Sequence, residues 1–368
     1  MNEGNAIRMT GPVPTLPASS RYVLLRCVAS GGMGSVYYGI QRGAAGFARP
    51  VAIKRAHPHL LGSAIVREEI LAEARNGSAV RHPNIVSIDD VEEINGELLL
   101  VMDFVEGCTL GKLMGLGGDL RLPRAVVVRL LLDICLALDA IQTPRDPEGR
   151  PLGLVHGDLS PHNVLVSVDG MARVTDFGLA RSVWDARPAS PNMRRGTFGY
   201  MAPEYLVRGV SCPRADLFAV GVLAWESLAG RRLFAGESPV QSVELTCAAV
   251  VPSLRFHDPS IPVELEAVIK RALARSPEAR PRSAGELGEA LERAAGGALA
   301  SRSVIARLVA RQRSTSGTFP VASTAEATQT GTMDVNTAEL EIVPEPKPRK
   351  IFRPSILGPS KTRRRLAA

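Results

Sequence analysis

Two different spacings of apolar positions divide the chain. From Tyr22 to about Phe104, short runs such as "VYYGI", "PVAIK" and "ELLLVMDFV" surround one helical stretch, "SAIVREEILAEARNGSAV". From Thr109 to about Gly297 the apolar positions recur at helical spacing, as in "RAVVVRLLLDICLALDAI". Short β-rich runs indicate strands, and the longer period indicates helices with one apolar face. The pattern predicts an α+β fold with a strand-rich small lobe followed by a helical large lobe.

The segments outside the two lobes have a different character. Residues 1–20 are rich in Pro, Gly and Ser, which is typical of a flexible leader. We place the small lobe at 21–104 and the large lobe at 105–299. Residues 300–368 begin with "ASRSVIARLVARQR", which predicts one short helix. The Ser/Thr- and Pro-rich sequence after Arg313 has no apolar periodicity, so we expect a disordered, basic tail.

Composition fits an ordinary globular protein, with 45% hydrophobic and 22% charged residues. The net charge of +7 is too small to indicate nucleic acid, and we expect none. Five cysteines lie far apart without a C-x-x-C pair, which predicts reduced thiols and a cytoplasmic protein. The first 20 residues lack the apolar stretch of a signal peptide, and there is no run of about 18 apolar residues that could span a membrane.

A glycine-rich stretch, "ASGGMGSVY", lies between two strand-like runs. Glycines let the backbone approach phosphate groups closely, with amide N–H groups turned toward the anion. A simple hairpin turn explains the glycines equally well, and Ala29 stands where the motif G-x-G-x-x-G has its first glycine. The candidate phosphate-binding glycines are Gly31, Gly32 and Gly34.

The spacing from the glycines to Lys54 predicts a β-hairpin. Val36 and Lys54 are 18 positions apart (54 − 36), which is enough for two strands and a turn near residues 43–46. That hairpin would bring Lys54, at the end of "VAIK", beneath the glycine turn. There its ammonium could pair with phosphates if a carboxylate held it in place. Glu73, on the helix of the small lobe, is the candidate carboxylate; a solvated surface glutamate is the alternative.

Two further motifs contain candidate groups for phosphoryl transfer. In "VHGDLSPHNVLV", Asp158 precedes Asn163 by five positions, which suits one carboxylate that orients a hydroxyl and one amide oxygen that reaches a metal ion. In "VTDFGLA", Asp176 follows an apolar strand and could bind Mg²⁺. For a D-F-G considered alone, an aspartate in a β-turn is the better explanation.

The order of these motifs gives a specific resemblance. The glycine loop, "VAIK", Glu73, "HGDLSPHN", "DFG" and "GTFGYMAPE" follow one another at fitting distances. "ADLFAVGVLAWESLAG", which contains Asp216, and "SPEARPRSAGEL", which contains Arg280, come after them. From about Tyr22 to Gly297 the chain strongly resembles the eukaryotic-like (Hanks-type) bacterial serine/threonine protein kinases. The resemblance implies a bilobal protein kinase fold, ATP and Mg²⁺ as cofactors, and protein substrates.

The resemblance also implies a role for each matching residue. Lys54 would hold the phosphates, Glu73 would hold Lys54, and Asp158 would be the catalytic base. Asn163 and Asp176 would bind the metal. Asp216 would fix the backbone of the catalytic loop, and Arg280 would pair with Glu204. The residues implied around adenine are Val36, Ala52, Met102, Asp103 to Val105 in the hinge, and Leu165.

Three positions depart from the family pattern. Gly157 replaces an Arg that receives a phosphate on an activated loop, so we do not expect activation by phosphorylation at Thr197 or Ser190. Ser160 replaces a Lys that neutralises the transferred phosphoryl group, which leaves reduced turnover or another cation as open alternatives. Gly77 replaces an apolar residue one turn after Glu73, and suggests a helix that needs a partner or nucleotide to settle.

Three functions are compatible with these residues. An active serine/threonine protein kinase is the first, and a pseudokinase that binds nucleotide as a scaffold is the second. The third, a small-molecule kinase, rests only on the H-G-D spelling and conflicts with "GTFGYMAPE". Thr328, Thr330 and Thr332 in the tail are candidate autophosphorylation sites for a phosphothreonine-reading partner; an unmodified spacer is the alternative.

Overall fold

The computed structural model describes residues 13–32, 34–115, 121–145, 148–176, 181–182 and 198–315. All of them belong to one compact unit that ends at Val321. A five-stranded antiparallel sheet forms the small lobe, with the strand order β1-β2-β3-β5-β4. Its strands are β1 (Tyr22–Ser30), β2 (Gly34–Arg42), β3 (Ala48–Ala56), β4 (Ile88–Ile94) and β5 (Glu97–Asp103), and its helix is α1 (Ala64–Ser78).

The predicted hairpin is present as strands β2 and β3. Val36 and Lys54 are direct partners across the ladder, and a short 3₁₀ turn at residues 44–46 connects the strands. Gly34 allows the close approach of the strands, because a Cβ atom at this position would lie 2.0 Å from the Arg55 carbonyl oxygen. Glycine at 34 is therefore required by the packing of the hairpin itself.

The small-lobe sheet buries a different apolar cluster on each face, as expected for strands whose side chains alternate. One cluster contains Val51, Ile53 and Leu99, and the other contains Ala52, Leu100 and Met102. Val13 and Leu16, which lie in the predicted leader, pack against the first cluster. The second cluster faces α1 and the large lobe.

Helices form most of the large lobe. Of the two longest, α5 is almost completely buried and α3 is buried over most of its length, since their apolar residues cover more than one face. The helices are α2 (Leu110–Met114), α3 (Arg124–Ile141), α4 (Pro203–Arg208), α5 (Pro213–Ala229), α6 (Pro239–Ala248), α7 (Val263–Ala272), α8 (Ala284–Ala294) and α9 (Arg302–Thr315).

Short strands at the boundary of the lobes position the polar residues of the site. Strands β6 (Gly107–Thr109), β8 (Val164–Ser167) and β9 (Ala172–Val174) form one antiparallel sheet. Strand β7 (Leu154–Val155) pairs with β10 (Arg181–Ser182). Asn163 directly precedes β8 and Asp176 follows β9, so this sheet brings the two candidate metal ligands to the same end.

The predicted α+β arrangement of a strand-rich small lobe and a helical large lobe is confirmed. Among the described residues, none of the helices combines the length and the hydropathy needed to cross a bilayer.

Candidate active site

Lys54 joins the two lobes through a pair of ionic contacts. Its Nζ atom donates to both carboxylate oxygens of Glu73 at 2.9 Å and to Asp176 Oδ1 at 3.0 Å. Glu73 is 4% exposed, so the predicted alternative of a solvated surface glutamate is wrong. The contacts bring together the ammonium from β3, the carboxylate from α1 and the carboxylate of Asp176, two residues after the end of β9.

The charge state of this group follows from its surroundings. Burial alone would lower the pKa of the Lys54 ammonium, but the charges of Asp176 and Glu73 outweigh it and raise the pKa above its ordinary value. Burial raises the pKa of the Glu73 carboxyl, and the charge of Lys54 opposes that shift. Lys54 therefore stays protonated at neutral pH and can hold an anionic group.

The catalytic loop holds Asp158 and Asn163 together. The amide nitrogen of Asn163 donates to the Asp158 backbone carbonyl at 2.8 Å and to Asp158 Oδ2 at 3.0 Å. The backbone N–H of Asn163 donates to the Ser160 carbonyl at 3.0 Å, which closes the turn. Because the side-chain nitrogen of Asn163 donates to Asp158, the side-chain oxygen of Asn163 is the atom that could bind a cation.

Asp216 holds the backbone of this loop through two hydrogen bonds. One of its carboxylate oxygens accepts from the His156 N–H at 2.8 Å, and the other accepts from the Gly157 N–H at 2.9 Å. Burial raises the pKa of the Asp216 carboxyl, while the charge of His156 and these two backbone donors oppose the shift. The predicted contact between Asp216 and the loop backbone is thus present.

The sequence did not predict the structural role of His156. Its side chain is fully buried, and Nε2 lies 3.0 Å from the Thr175 carbonyl oxygen. It therefore connects the catalytic loop to the residue directly before Asp176. The first letter of "HGD" was the available signal.

Two backbone conformations are unusual at this point. Asp176 has φ 64° and Gly157 has φ 75°. A non-glycine residue in the left-handed region costs on the order of 1–3 kcal/mol and is typical of functional sites. Gly157 adopts the same region without strain, which supplies a physical reason for glycine at this position beyond the absence of a charged side chain.

The residues proposed to surround adenine lie in a single apolar cluster. Ala52 and Met102 are buried in it, and the partly buried Val36, Val105 and Leu165 pack against it. Ala52 and Met102 are also direct partners across strands β3 and β5. Asp103, at the start of the hinge, donates its N–H to the Ser87 carbonyl at 3.0 Å. Residues from β2, β3, β5 and β8 therefore meet in one apolar cluster.

The glycine loop is closed by a hydrogen bond within the hairpin. The Gly31 N–H donates to the Gly34 carbonyl at 2.8 Å, and the carbonyl of Gly31 lies 2.7 Å from His57 Nε2. Gly32 lies exposed at the tip of the turn. The loop lies at the end of the ladder in which Val36 opposes Lys54, so the glycines are close to Lys54 as the hairpin predicted.

The chemistry of the donor set fits Mg²⁺. Asn163 and Asp176 offer an amide oxygen and a carboxylate, and Mg²⁺ prefers one or two such ligands together with phosphate oxygens. Within the described ranges, no three or more His, Cys, Asp or Glu side chains form a group that could hold a metal. A site completed by substrate phosphates is consistent with both observations.

The model of the protein kinase domain matches residues 22–290. The chain belongs to the protein kinase family. Its match begins at the first strand of the small lobe and ends inside α8, so it includes every predicted site residue. The bilobal protein kinase fold expected from the motif order is confirmed.

Relatives of this kinase are found in several bacteria. It is 34% identical over 285 residues to the tyrosine-protein kinase MasK of Myxococcus xanthus, which covers 77% of this chain and 44% of MasK. It is 31% identical to the serine/threonine-protein kinase PrkC of Bacillus subtilis, covering 73% of this chain and 40% of PrkC. The kinase domain of Mycobacterium tuberculosis PknI has a TM-score of 0.56 at 26% identity, covering 75% of this chain and 96% of that domain. The chain thus spans less than half the length of MasK and of PrkC.

Two of the departures from the family pattern have structural correlates. Ser160 is 3% exposed, so its hydroxyl lies inside the loop and supplies no charge to the cleft. At Gly77, a Cβ atom would lie 2.3 Å from Ile88 Cδ1. The Ile88 side chain therefore fills the space that an apolar residue at 77 would take. Helix α1 forms the Lys54–Glu73 contact with this packing.

Enlarging Gly77 will disturb the active arrangement. We expect Gly77→Leu to cost about 1–3 kcal/mol of stability by overpacking, and to lower the phosphoryl-transfer rate because α1 moves away and weakens the contact between Lys54 and Glu73. The double variant Gly77→Leu/Ile88→Ala makes room for the new side chain and should recover the rate. Thermal melts and initial rates of the three proteins test this; a single variant with wild-type rate and stability would contradict it.

A buried ion pair anchors the segment that contains Glu204 in the large lobe. Arg280 donates to both carboxylate oxygens of Glu204 at 2.7 and 2.8 Å, as the family resemblance implied. Nearby, the Tyr200 hydroxyl donates to Glu226 at 2.6 Å, and Arg232 contacts both. Sequence reasoning missed this second network. Thr197, Ser190 and the tail threonines Thr328, Thr330 and Thr332 lie outside the described residues.

Proposed function

We propose that the chain is an ATP-dependent protein kinase that transfers the γ-phosphate to Ser or Thr hydroxyls of protein substrates. The single observation that supports this most strongly is the Lys54 ammonium bonded to Glu73 and Asp176 at once. This contact requires both lobes to hold their catalytic elements in register. A pseudokinase has no need to keep all three residues together with Asp158 and Asn163, so the scaffold function has less support.

Each residue has a defined task in this proposal. Lys54 binds the α- and β-phosphates, and Glu73 keeps its ammonium in place. Asp158 accepts the proton of the attacking hydroxyl, and the Asn163 side chain orients its carboxylate through the 3.0 Å hydrogen bond. Catalysis in this class of reaction is mainly positioning and charge stabilisation, so rigid placement of these groups is the chain's main contribution.

Asn163 and Asp176 would hold Mg²⁺, which when bound neutralises charge on the phosphate oxygens. The apolar cluster of Val36, Ala52, Met102, Val105 and Leu165 would enclose adenine, and the backbone from Asp103 to Val105 would bond its edge. ATP as phosphate donor and the five free cysteines are both consistent with a cytoplasmic location.

Phosphoamino acid analysis tests the choice of acceptor. The protein is incubated with γ-labelled MgATP and a generic protein substrate, and the labelled products are hydrolysed and separated. We expect phosphoserine and phosphothreonine. Label that appears only in phosphotyrosine would overturn the Ser/Thr assignment while leaving the kinase assignment intact.

Tyrosine is the second candidate acceptor, and two observations favour it. The relative MasK is named a tyrosine-protein kinase. In addition, the Lys that contacts the catalytic Asp in Ser/Thr-directed members is replaced here by the buried Ser160. In Ser/Thr-directed members a Thr at the position of Thr197 contacts the same Asp and Lys. This Thr is retained in the sequence, so Ser/Thr remains the better supported choice.

Restoring a charge at position 160 should speed the reaction. We expect Ser160→Lys to raise kcat by about 10-fold, because a cation beside the transferred phosphoryl group stabilises the developing charge. Ser160→Met is the matched control, since it adds similar bulk without charge and should lower kcat or leave it unchanged. Equal kcat values for the two variants would contradict a role for the missing charge.

We also propose that the tail threonines Thr328, Thr330 and Thr332 are autophosphorylated and then bound by a phosphothreonine-reading partner. Support comes only from their sequence context. Mass spectrometry of the protein after incubation with MgATP should find phosphate at one or more of them, and an unmodified tail in an active preparation would exclude the idea.

A further inference from the structure

Helix α9 lies beyond the part of the chain that matches the kinase domain. That match ends at residue 290, whereas α9 covers Arg302–Thr315. Its sequence is rich in arginine and has the appearance of a solvated basic helix. In the structure it packs on strands β6 and β8 and on helix α2. These are the elements that continue from the hinge and from the catalytic loop.

The first residue of α9 anchors it to the hairpin that precedes Asp176. Arg302 donates to both carboxylate oxygens of the buried Asp133 at 3.1 Å, and also to the Gly170 carbonyl at 3.4 Å. Asp133 in turn accepts from the Ala172 N–H at 2.9 Å. Gly170 lies in the turn between β8 and β9, and a Cβ atom there would lie 2.2 Å from the Arg302 carbonyl oxygen. The backbone at the start of α9 is therefore packed directly against the turn between β8 and β9.

The middle of α9 belongs to the apolar core of the large lobe. Ile305 and Val309 are fully buried there, in the same core as Val164 and Val166 of β8. The residue between these two valines, Leu165, packs instead with the cluster proposed to enclose adenine. Because strand residues alternate between faces, β8 has α9 behind it and the nucleotide cleft in front of it.

The end of α9 contacts the segment that leaves the hinge. Arg313 Nη1 lies 2.8 Å from Glu106 Oε1, and the Arg313 side chain is only 18% exposed. Glu106 directly follows Val105, the last residue of the proposed hinge. Its backbone carbonyl accepts from the Val168 N–H at 2.8 Å, at the end of β8. Glu106 therefore contacts α9 through its carboxylate and the end of β8 through its backbone carbonyl, directly after the proposed hinge.

We propose that α9 is part of the nucleotide site, and that the Arg313–Glu106 ion pair is a positioning element for ATP. This inference rests on the proposed function as an ATP-dependent kinase. Arg302 and Arg313 hold the two ends of α9 against the sheet of β6, β8 and β9. The position of Leu165 relative to Glu106, the residue after the hinge, is thereby fixed. The functional kinase unit then extends to Thr315, beyond the end of the family match.

Full-chain variants test this proposal. Arg313→Ala removes the ion pair, Arg313→Glu places two like charges together, and Glu106→Arg/Arg313→Glu restores an ion pair of reversed sense. Arg307→Ala is the matched control, because Arg307 is an exposed arginine on the same helix. Each protein is measured for the Kd of MgATP by titration, for KM and kcat in phosphoryl transfer, and for its melting temperature.

We expect Arg313→Ala to raise Kd and KM for MgATP by about 5-fold or more, with a smaller effect on kcat. Arg313→Glu should have a larger effect, the double variant should return toward wild type, and Arg307→Ala should match wild type. A purely structural role would lower the melting temperature, which the reversed pair would restore, and would leave Kd and KM for MgATP unchanged in the folded variants.

Two results would overturn the proposal in distinguishable ways. If the wild-type chain binds MgATP and every variant binds it equally well, α9 has no role in the nucleotide site and only this inference fails. If the wild-type chain binds no nucleotide, the proposed function fails and this inference fails with it. Should Arg313→Glu not fold, Arg313→Ala and Glu106→Gln each remove one charge of the pair and give the same test.

Discussion

Replacing Lys54 with Met will lower kcat/KM for phosphoryl transfer by about 10²–10³-fold, the loss typical of removing one preorganised electrostatic contact. The ammonium touches Glu73 and Asp176 and is the only part of this group that attracts phosphate. Its removal also deprives the buried Glu73 of the cation that it contacts at 2.9 Å. Burial then favours the protonated carboxyl, so the variant loses the ionic link between the lobes as well as the phosphate contact.

Initial rates over a range of ATP concentrations measure this effect. Lys270→Met is the matched control, because Lys270 lies on α7 in a partly exposed pair with Glu266. It should transfer phosphate at the wild-type rate. Glu73→Gln should show a smaller loss than Lys54→Met, since Asp176 still holds the ammonium. Wild-type kinetics in Lys54→Met would show that the phosphates bind elsewhere.

Replacing Arg280 with Ala will reduce the free energy of unfolding by about 3–5 kcal/mol, the range for breaking a buried ion pair. Arg280 is 1% exposed and makes a bidentate contact with Glu204. It also donates to three backbone carbonyls, those of Ala274, Arg214 and Arg275. Its loss leaves the Glu204 carboxylate and these carbonyls without their donors inside the protein.

Urea denaturation followed by circular dichroism measures this change. Arg293→Ala is the control, because its pair with Glu289 at 3.4 Å is mostly exposed to solvent. Such surface pairs contribute about 0–1 kcal/mol. Arg280→Lys should behave like Arg280→Ala, since Lys cannot reproduce the planar fork of donors. An Arg280→Ala protein as stable as the Arg293→Ala control would refute the assignment of Arg280 as an anchor.

Local patterns predicted the small lobe well because its contacts are close in sequence. The distance from Val36 to Lys54 was sufficient to predict their hairpin, and the two are direct partners in it. Strand alternation also predicts that Ala52 and Lys54 lie on the same face of β3, because they are two positions apart. Nothing more than the period of a strand and one turn was needed.

Motif order predicted the large-lobe contacts that local patterns could not. Asp216 and the His156 backbone are far apart along the chain, and only the family resemblance joined them. The same resemblance implied the pairing of Arg280 with Glu204. In both cases a buried charge must find a partner, but the sequence alone does not say which one.

The packing of Gly77 and the role of α9 were beyond sequence reasoning. Whether Ile88 fills the space beside Gly77 depends on the register of β4, which contains an irregularity between Ile88 and Asp90. The arginines of α9 have the spacing of a solvated helix. Their partners, Asp133 and Glu106, lie in distant parts of the sequence and carry no motif of their own.

Transfer of the γ-phosphate from labelled ATP, in the presence of Mg²⁺, tests the central claim most directly. Wild type and Asp176→Ala are compared on the chain itself and on a generic protein substrate. The account predicts label in wild type as phosphoserine or phosphothreonine, and none above background in Asp176→Ala. Absence of label in wild type, with MgATP still bound, would contradict it and assign the chain to the nucleotide-binding scaffolds.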